Sequence, residues 1–105
     1  MNQILAHRGA DSVAVAVDDL RAGEEATGLA LDGSVAIAVR TRDAIPLGHK
    51  VALRDVPAGG EVIEYGVAVG EATAEIHAGD HVHVHNLRSI RWRASQRPAL
   101  ATAQG

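Results

Sequence analysis

Short alternating runs, rather than helical stripes, organise this chain. From residue 12 to 17, valine takes every second position (Val13, Val15, Val17) with alanine between, the period of a strand. Small residues on the second face predict that this face is covered too. Val35-Ala36-Ile37-Ala38-Val39 repeats the pattern after Asp32-Gly33, a hairpin signal that follows Leu29-Ala30-Leu31. Ile45-Pro46-Leu47-Gly48 then leads into a strand over 49–53. Residues 62–66 and 67–70 read as two strands meeting near Gly66, residues 72–76 as another, and 81–87 as the last. Residues 18–26 are the best helical candidate, and Gly23 weakens it. The prediction is an all-β fold of short strands and glycine-rich turns.

An internal pseudo-repeat underlies these runs. Residues 15–26 align without gaps to residues 51–62, and residues 75–82 form a partial third copy. The shared unit is an acid, an aliphatic residue, any residue, Ala-Gly, two polar positions and an apolar one. Physically this is a strand end, a tight turn and a new strand, with the aliphatic residue plugging the core. Irregular spacing suits a small pseudo-symmetric β fold and does not suit a solenoid.

Composition narrows the picture. With 105 residues there is room for one domain. Without cysteine there is neither a disulfide framework nor a thiolate metal site. No signal-peptide pattern and no membrane-spanning apolar run is visible, so the expectation is a soluble, cytoplasmic protein with no membrane partner. Phenylalanine is absent, and Tyr65 and Trp92 are the only tyrosine and tryptophan, which argues against binding single-stranded nucleic acid by base stacking. All 13 acids lie between Asp11 and Asp80, so residues 1–87 carry a charge of −7. Arg88, Arg91, Arg93 and Arg97 give the tail +4. The expected organisation is a β domain over 1–87 and a basic tail over 88–105. The tail is expected to dock on a partner through Trp92, or to be solvated. The acidic body would repel phosphate, so no nucleic-acid partner is expected.

The histidines carry the candidate chemistry. On a straight strand His81, His83 and His85 share one face, with Val82 and Val84 on the core face. Two adjacent imidazoles of such a run can chelate a divalent ion, whereas the third sits too far along. A catalytic site wants three protein ligands, so His49 or His7 would have to complete it. Imidazole suits Zn, Fe(II) and Ni(II). The plainer alternative is a polar face that happens to use histidine. In Gly48-His49-Lys50, Gly48 permits close backbone approach, His49 suits general acid–base work and Lys50 can meet a carboxylate as a point charge. The plainer alternative is a turn histidine and a solvated lysine. Asn86 either caps the strand end or orients a ligand. His77, at a repeat position that also accepts Arg21 and Pro57, is expected to be exposed.

The repeated aliphatic-x-Ala-Gly unit resembles that of SAF domains, which adopt a β-clip fold. More specific strings resemble the altronate dehydratase family, which includes galactarate dehydratase and the sulfolactate sulfo-lyase alpha subunit. They are His7 before Asp11-Ser12-Val13-Ala14-Val15-Ala16; Gly48-His49-Lys50-Val51-Ala52-Leu53-Arg54-Asp55-Val56; Val62-Ile63-Glu64-Tyr65-Gly66; and Gly79-Asp80-His81-Val82-His83-Val84-His85-Asn86. In order they span most of residues 4–87. The triple-histidine string is closer to the altronate and sulfolactate branches than to the galactarate branch.

The resemblance implies a small subunit or module of a sugar-acid hydro-lyase that acts on a hydroxycarboxylate with a separate large catalytic subunit. It implies a dependence on Fe(II) or Mn(II), held by this chain or by the partner. It implies that His49 and Lys50 face a shared active site, with Gly48, Asn86 and His7 contacting or orienting substrate, and no lyase activity alone. Two alternatives remain: the alpha subunit of a sulfolactate sulfo-lyase, and a non-catalytic metal- or ligand-binding accessory module. Exposed strand edges also offer a route to a homodimer.

Overall fold

The structure, a computed structural model, describes residues 2–90. Among these residues nine strands form two sheets: β1 (Ile4–Ala6), β2 (Val13–Ala16), β3 (Glu25–Ala30), β4 (Ala36–Arg40), β5 (Lys50–Ala52), β6 (Glu61–Glu64), β7 (Val67–Ala72), β8 (His81–Val82) and β9 (Leu87–Ser89). The larger sheet has the order β4-β3-β1-β2-β5-β8 and the smaller β6-β7-β9. Among the described residues only β1 and β3 pair in parallel. Among the described residues no helix is long and apolar enough to cross a membrane. The all-β expectation holds.

Alternation explains the covered faces. Val13, Ala14 and Ala16 are each 1% exposed, so both faces of β2 are buried, while Val17 lies past the strand end and is exposed. The helical candidate over 18–26 is instead a turn leading into β3, because Gly23 takes a φ of 81° that a helix interior does not accommodate. The strand expected over 72–76 ends at Ala72, and Ile76 makes only an isolated bridge to Val56. At the tip of the β6–β7 hairpin Tyr65 and Gly66 both take positive φ, 61° and 77°, as a two-residue turn of type I′ requires.

The pseudo-repeat has four members rather than three. Leu20, Ile45, Val56 and Ile76 are its aliphatic plugs, none more than 5% exposed. The copy at Ile45-Pro46-Leu47-Gly48 escapes a sequence alignment because Leu47 replaces the alanine. Each copy bends at a glycine with positive φ, namely Gly23, Gly48, Gly59 and Gly79. The copies meet in pairs: Leu20 bridges Ile45 and Val56 bridges Ile76, each through two reciprocal backbone hydrogen bonds. Both pairs carry the same cross-brace. Asp19 Oδ1 accepts the Leu47 amide at 2.8 Å, and Asp55 Oδ1 accepts the Ala78 amide at 2.8 Å.

Each bridged pair nucleates one apolar cluster. Leu20 and Ile45 pack with Ile4, Ala16 and Val51, whereas Val56 and Ile76 pack with Val13, Val62 and Val82. The two sheets are also tied by hydrogen bonds at Ser12, whose amide donates to the Ile63 carbonyl at 2.8 Å. His77 is half-buried rather than exposed, since its amide is drawn onto Asp80 Oδ2 at 2.8 Å. β9 runs across the 87/88 boundary expected from charge: it pairs with β7, and Ile90 beyond it is 5% exposed. Of the basic tail, Arg91, Trp92, Arg93 and Arg97 lie outside the described residues.

Candidate functional site

The repeat itself explains why a histidine stands at position 49. Four residues after each aliphatic plug come Glu24, His49, Gly60 and Asp80. Glu24 and Asp80 use their carboxylates to accept the amide of the residue following the plug, Arg21 and His77, at 2.8 Å each. In the other two copies that residue is Pro46 or Pro57, which has no N–H. No acceptor is needed there, so the position is free of a capping acid, and in the Pro46 copy it holds His49.

β5 and β8 pair antiparallel, with Lys50 opposite Val82 and Val51 opposite His81. This pairing brings the ring of His49 to His81 and His83. His49 Nδ1 lies 2.9 Å from His81 Nε2, and the His49 and His83 ring centroids are 4.6 Å apart. One ring nitrogen each from His49, His81 and His83 lie within 4.8 Å of one another.

The continuous strand expected over 81–87 is not formed. β8 stops at Val82, and a turn held by Asn86 follows: the Asn86 side chain accepts the His83 amide at 3.0 Å and donates to the His81 carbonyl at 2.9 Å. Asn86 is 7% exposed, and it shapes the histidine loop. The turn removes the strict alternation. Val82 is 2% exposed as expected for the core face, but Val84 is 81% exposed. His85 is exposed, with its ring 5.3 Å from that of His81.

Burial holds the His81 imidazole below its ordinary pKa of 6.5, helped by the neighbouring His49, His85 and His83 and opposed by Asp43. A neutral imidazole is the form that binds a metal ion. Two nitrogens each about 2.0–2.1 Å from one ion stand roughly 3 Å apart when at right angles around it. The His49–His81 separation fits that requirement, and a three-histidine set leaves positions open for water or substrate. The donor set therefore fits a divalent cation.

His49, Lys50, His83 and Val84 line an open cavity of about 330 Å³, with Gly48 at its edge in positive φ. Lys50 Nζ lies 3.8 Å from Glu64 Oε1. His7, expected as a third or orienting ligand, stands apart from the cluster: it stacks on Tyr65 at 3.7 Å and faces Glu64 Oε2 at 3.6 Å. Glu64, Tyr65 and Asp11 lie in the strings that carry the family resemblance, but no site role was expected of them. The available signal for Glu64 is its phase, since it shares a strand face with Val62 and is 6% exposed. Asp11, fully buried, accepts the amides of Tyr65, Gly66 and Arg8 and so fixes the hairpin that carries Glu64 and Tyr65.

Comparison with known proteins agrees with this fold. Residues 2–90 match the family model described as the altronate/galactarate dehydratase SAF domain. The chain is 40% identical over 87 residues to the (2R)-sulfolactate sulfo-lyase subunit alpha of Chromohalobacter salexigens, covering 82% of this chain and 93% of that one. It is 44% identical over 79 residues to the altronate dehydratase of Escherichia coli, covering 75% of this chain and 15% of that enzyme. To the Escherichia coli galactarate dehydratase (L-threo-forming) it is 42% identical over 74 residues, covering 69% of this chain and 12% of that enzyme.

Proposed function

Because the chain belongs to the altronate/galactarate dehydratase SAF domain family, we propose that it is the small module of a lyase acting on a hydroxycarboxylate, working with a larger catalytic chain. The observation that carries this reading is the cluster of His49, His81 and His83, two of whose members, His49 and His83, line one open cavity together with Lys50. A module with a purely structural role needs neither the cluster nor the cavity.

In this reading His49, His81 and His83 hold a divalent cation, Fe(II) or Mn(II) being the expected ions. When bound, the ion supplies Lewis-acid stabilisation of negative charge on a substrate oxygen. The Lys50 ammonium meets the substrate carboxylate and steadies the charge that develops when the α proton is removed. The α proton passes to a base supplied by the larger chain, which can return it to the departing β-hydroxyl, so that one water is lost overall. His49 serves as a ligand rather than as the acid–base group that its sequence context also allowed, because its Nδ1 points at His81. Gly48 lets substrate approach the backbone, and Asn86 keeps His81 and His83 in register.

A second reading is the alpha subunit of a sulfolactate sulfo-lyase, favoured by identity that extends over 93% of that relative. Both readings are tested by one assay. The chain is mixed with a larger lyase chain, with Fe(II) or Mn(II), and offered altronate, galactarate or sulfolactate. Turnover in the mixture alone, lost in His83→Ala, is the expected result, and the substrate turned over decides between the two. Full turnover by the larger chain alone would make this protein an accessory binding module.

A further inference from the structure

Lys50 is the only lysine in the chain; the other nine cationic residues are arginines. It stands at the cavity with its side chain 34% exposed, and its neighbour across the sheets is Glu64, whose side chain is 8% exposed. The two come from different sheets, Lys50 from β5 and Glu64 from β6. A carboxylate so deeply covered is costly unless cations or hydrogen bonds meet it. The Lys50 ammonium stands 3.8 Å from Oε1, and the His7 ring nitrogen Nε2 stands 3.6 Å from Oε2. His7 is in turn stacked under Tyr65, and the Tyr65 and Gly66 amides are fastened to buried Asp11 at 3.0 Å each.

We propose that Glu64 is a positioning residue, the buried anchor that fixes the Lys50 ammonium at the mouth of the histidine cavity. A lysine ammonium is a point charge on a flexible four-carbon stem, so without an anchor it samples many positions. An arginine would reach the same carboxylate as a rigid fork; a lysine keeps one compact charge that is shared between the anchor below and a substrate above. The Lys50–Glu64 separation is longer than a hydrogen bond, so the ammonium retains donors for the cavity side. His7 and Tyr65 close the other flank of Glu64. Glu64 is not part of the three-histidine cluster, so its carboxylate is left to Lys50 and His7. The inference rests on the lyase reading for its purpose, but its geometry stands apart from turnover.

The test uses the full chain carrying ¹³C-labelled lysine, in which Lys50 gives the one lysine ε-methylene signal. An anchored ammonium makes the two ε protons inequivalent. In Glu64→Gln they are expected to merge, while the melting temperature and the backbone spectrum of β5 stay close to wild type. Acylation of Lys50 by an amine-reactive ester, read by mass spectrometry at that residue, is expected to speed up about threefold, as the loss of one partly exposed ion-pair neighbour allows. His7→Ala leaves Oε1 in place and should preserve the lysine signature. Should Glu64→Gln fail to fold, Glu64→Asp, which draws the carboxylate back by one methylene, is read for the same two changes. Unchanged ε protons and unchanged acylation in a folded Glu64 variant would overturn the proposal. Neither readout uses turnover, so an inactive complex would count against the lyase reading and not against this one.

Discussion

His49 Nδ1 stands 2.9 Å from His81 Nε2 across 32 positions of sequence. Two imidazole nitrogens at that distance share a proton or a metal ion. The contact depends on two turns of one repeat family, at Gly48 and Gly79, which deliver β5 and β8 to the same edge of the larger sheet.

If His49, His81 and His83 form the ligand set, isothermal titration with Zn(II) or Mn(II) should give one site per chain. His49→Ala and His81→Ala should each weaken it by more than the roughly hundredfold at which outer-shell changes usually stop. His85→Ala, outside the three-way cluster, should change affinity only a few-fold. An equal loss in His85→Ala would place the ion elsewhere on the loop.

Acidification should destabilise the fold through His81. Its imidazole is held below the ordinary 6.5 in the folded chain, first by burial and then by the neighbouring histidines. The unfolded chain therefore binds this proton more readily, and stability rises with pH across the window. As pH falls, the loss begins near the unfolded value of 6.5 and levels off once folded His81 is protonated too. Urea midpoints should fall with pH over that range, less steeply in His81→Gln. Parallel profiles for the two proteins would contradict the assignment.

Asp11 should be among the most sensitive positions. It is 0% exposed and accepts three backbone amides, those of Arg8, Tyr65 and Gly66. Asp11→Ala removes three hydrogen bonds to a buried carboxylate, each worth about 1.5–3 kcal/mol, of which the amides of exposed Tyr65 and Gly66 recover a part from water. A loss of roughly 3 kcal/mol or more in urea unfolding is expected, and Asp11→Asn should lose less. A loss under 1 kcal/mol in Asp11→Ala (about the value of one ordinary hydrogen bond) would mean that the hairpin is held by other contacts.

The turn glycines should separate by what surrounds them. Gly59 has φ 83° with open space where a Cβ would sit, so Gly59→Ala should cost only the left-handed backbone, about 1–2 kcal/mol. At Gly79 a Cβ would also collide with the Arg40 carbonyl oxygen, so Gly79→Ala should cost distinctly more. Equal losses in thermal or urea unfolding would show that the backbone near Arg40 gives way freely.

Much of this protein is legible in its sequence because strand period and turn chemistry are local. Alternation of valine and alanine marks β2 with both faces covered, and glycine at a fixed place after an aliphatic plug marks the bends. The residue types of the site, His49, Lys50, His81, His83 and Asn86, are legible for the same reason. What tertiary structure alone decided is which of them meet. The break after Val82 depends on Asn86 folding back onto His81 and His83, a contact that strand period does not encode, and it sends Val84 into solvent. The separation of His7 from the cluster, and its place with Lys50 around Glu64, depend on how two sheets pack. The fourth repeat copy surfaced only through its bridge to Leu20, because pairing between distant turns is a long-range contact while the sequence signal of a turn extends over a few residues.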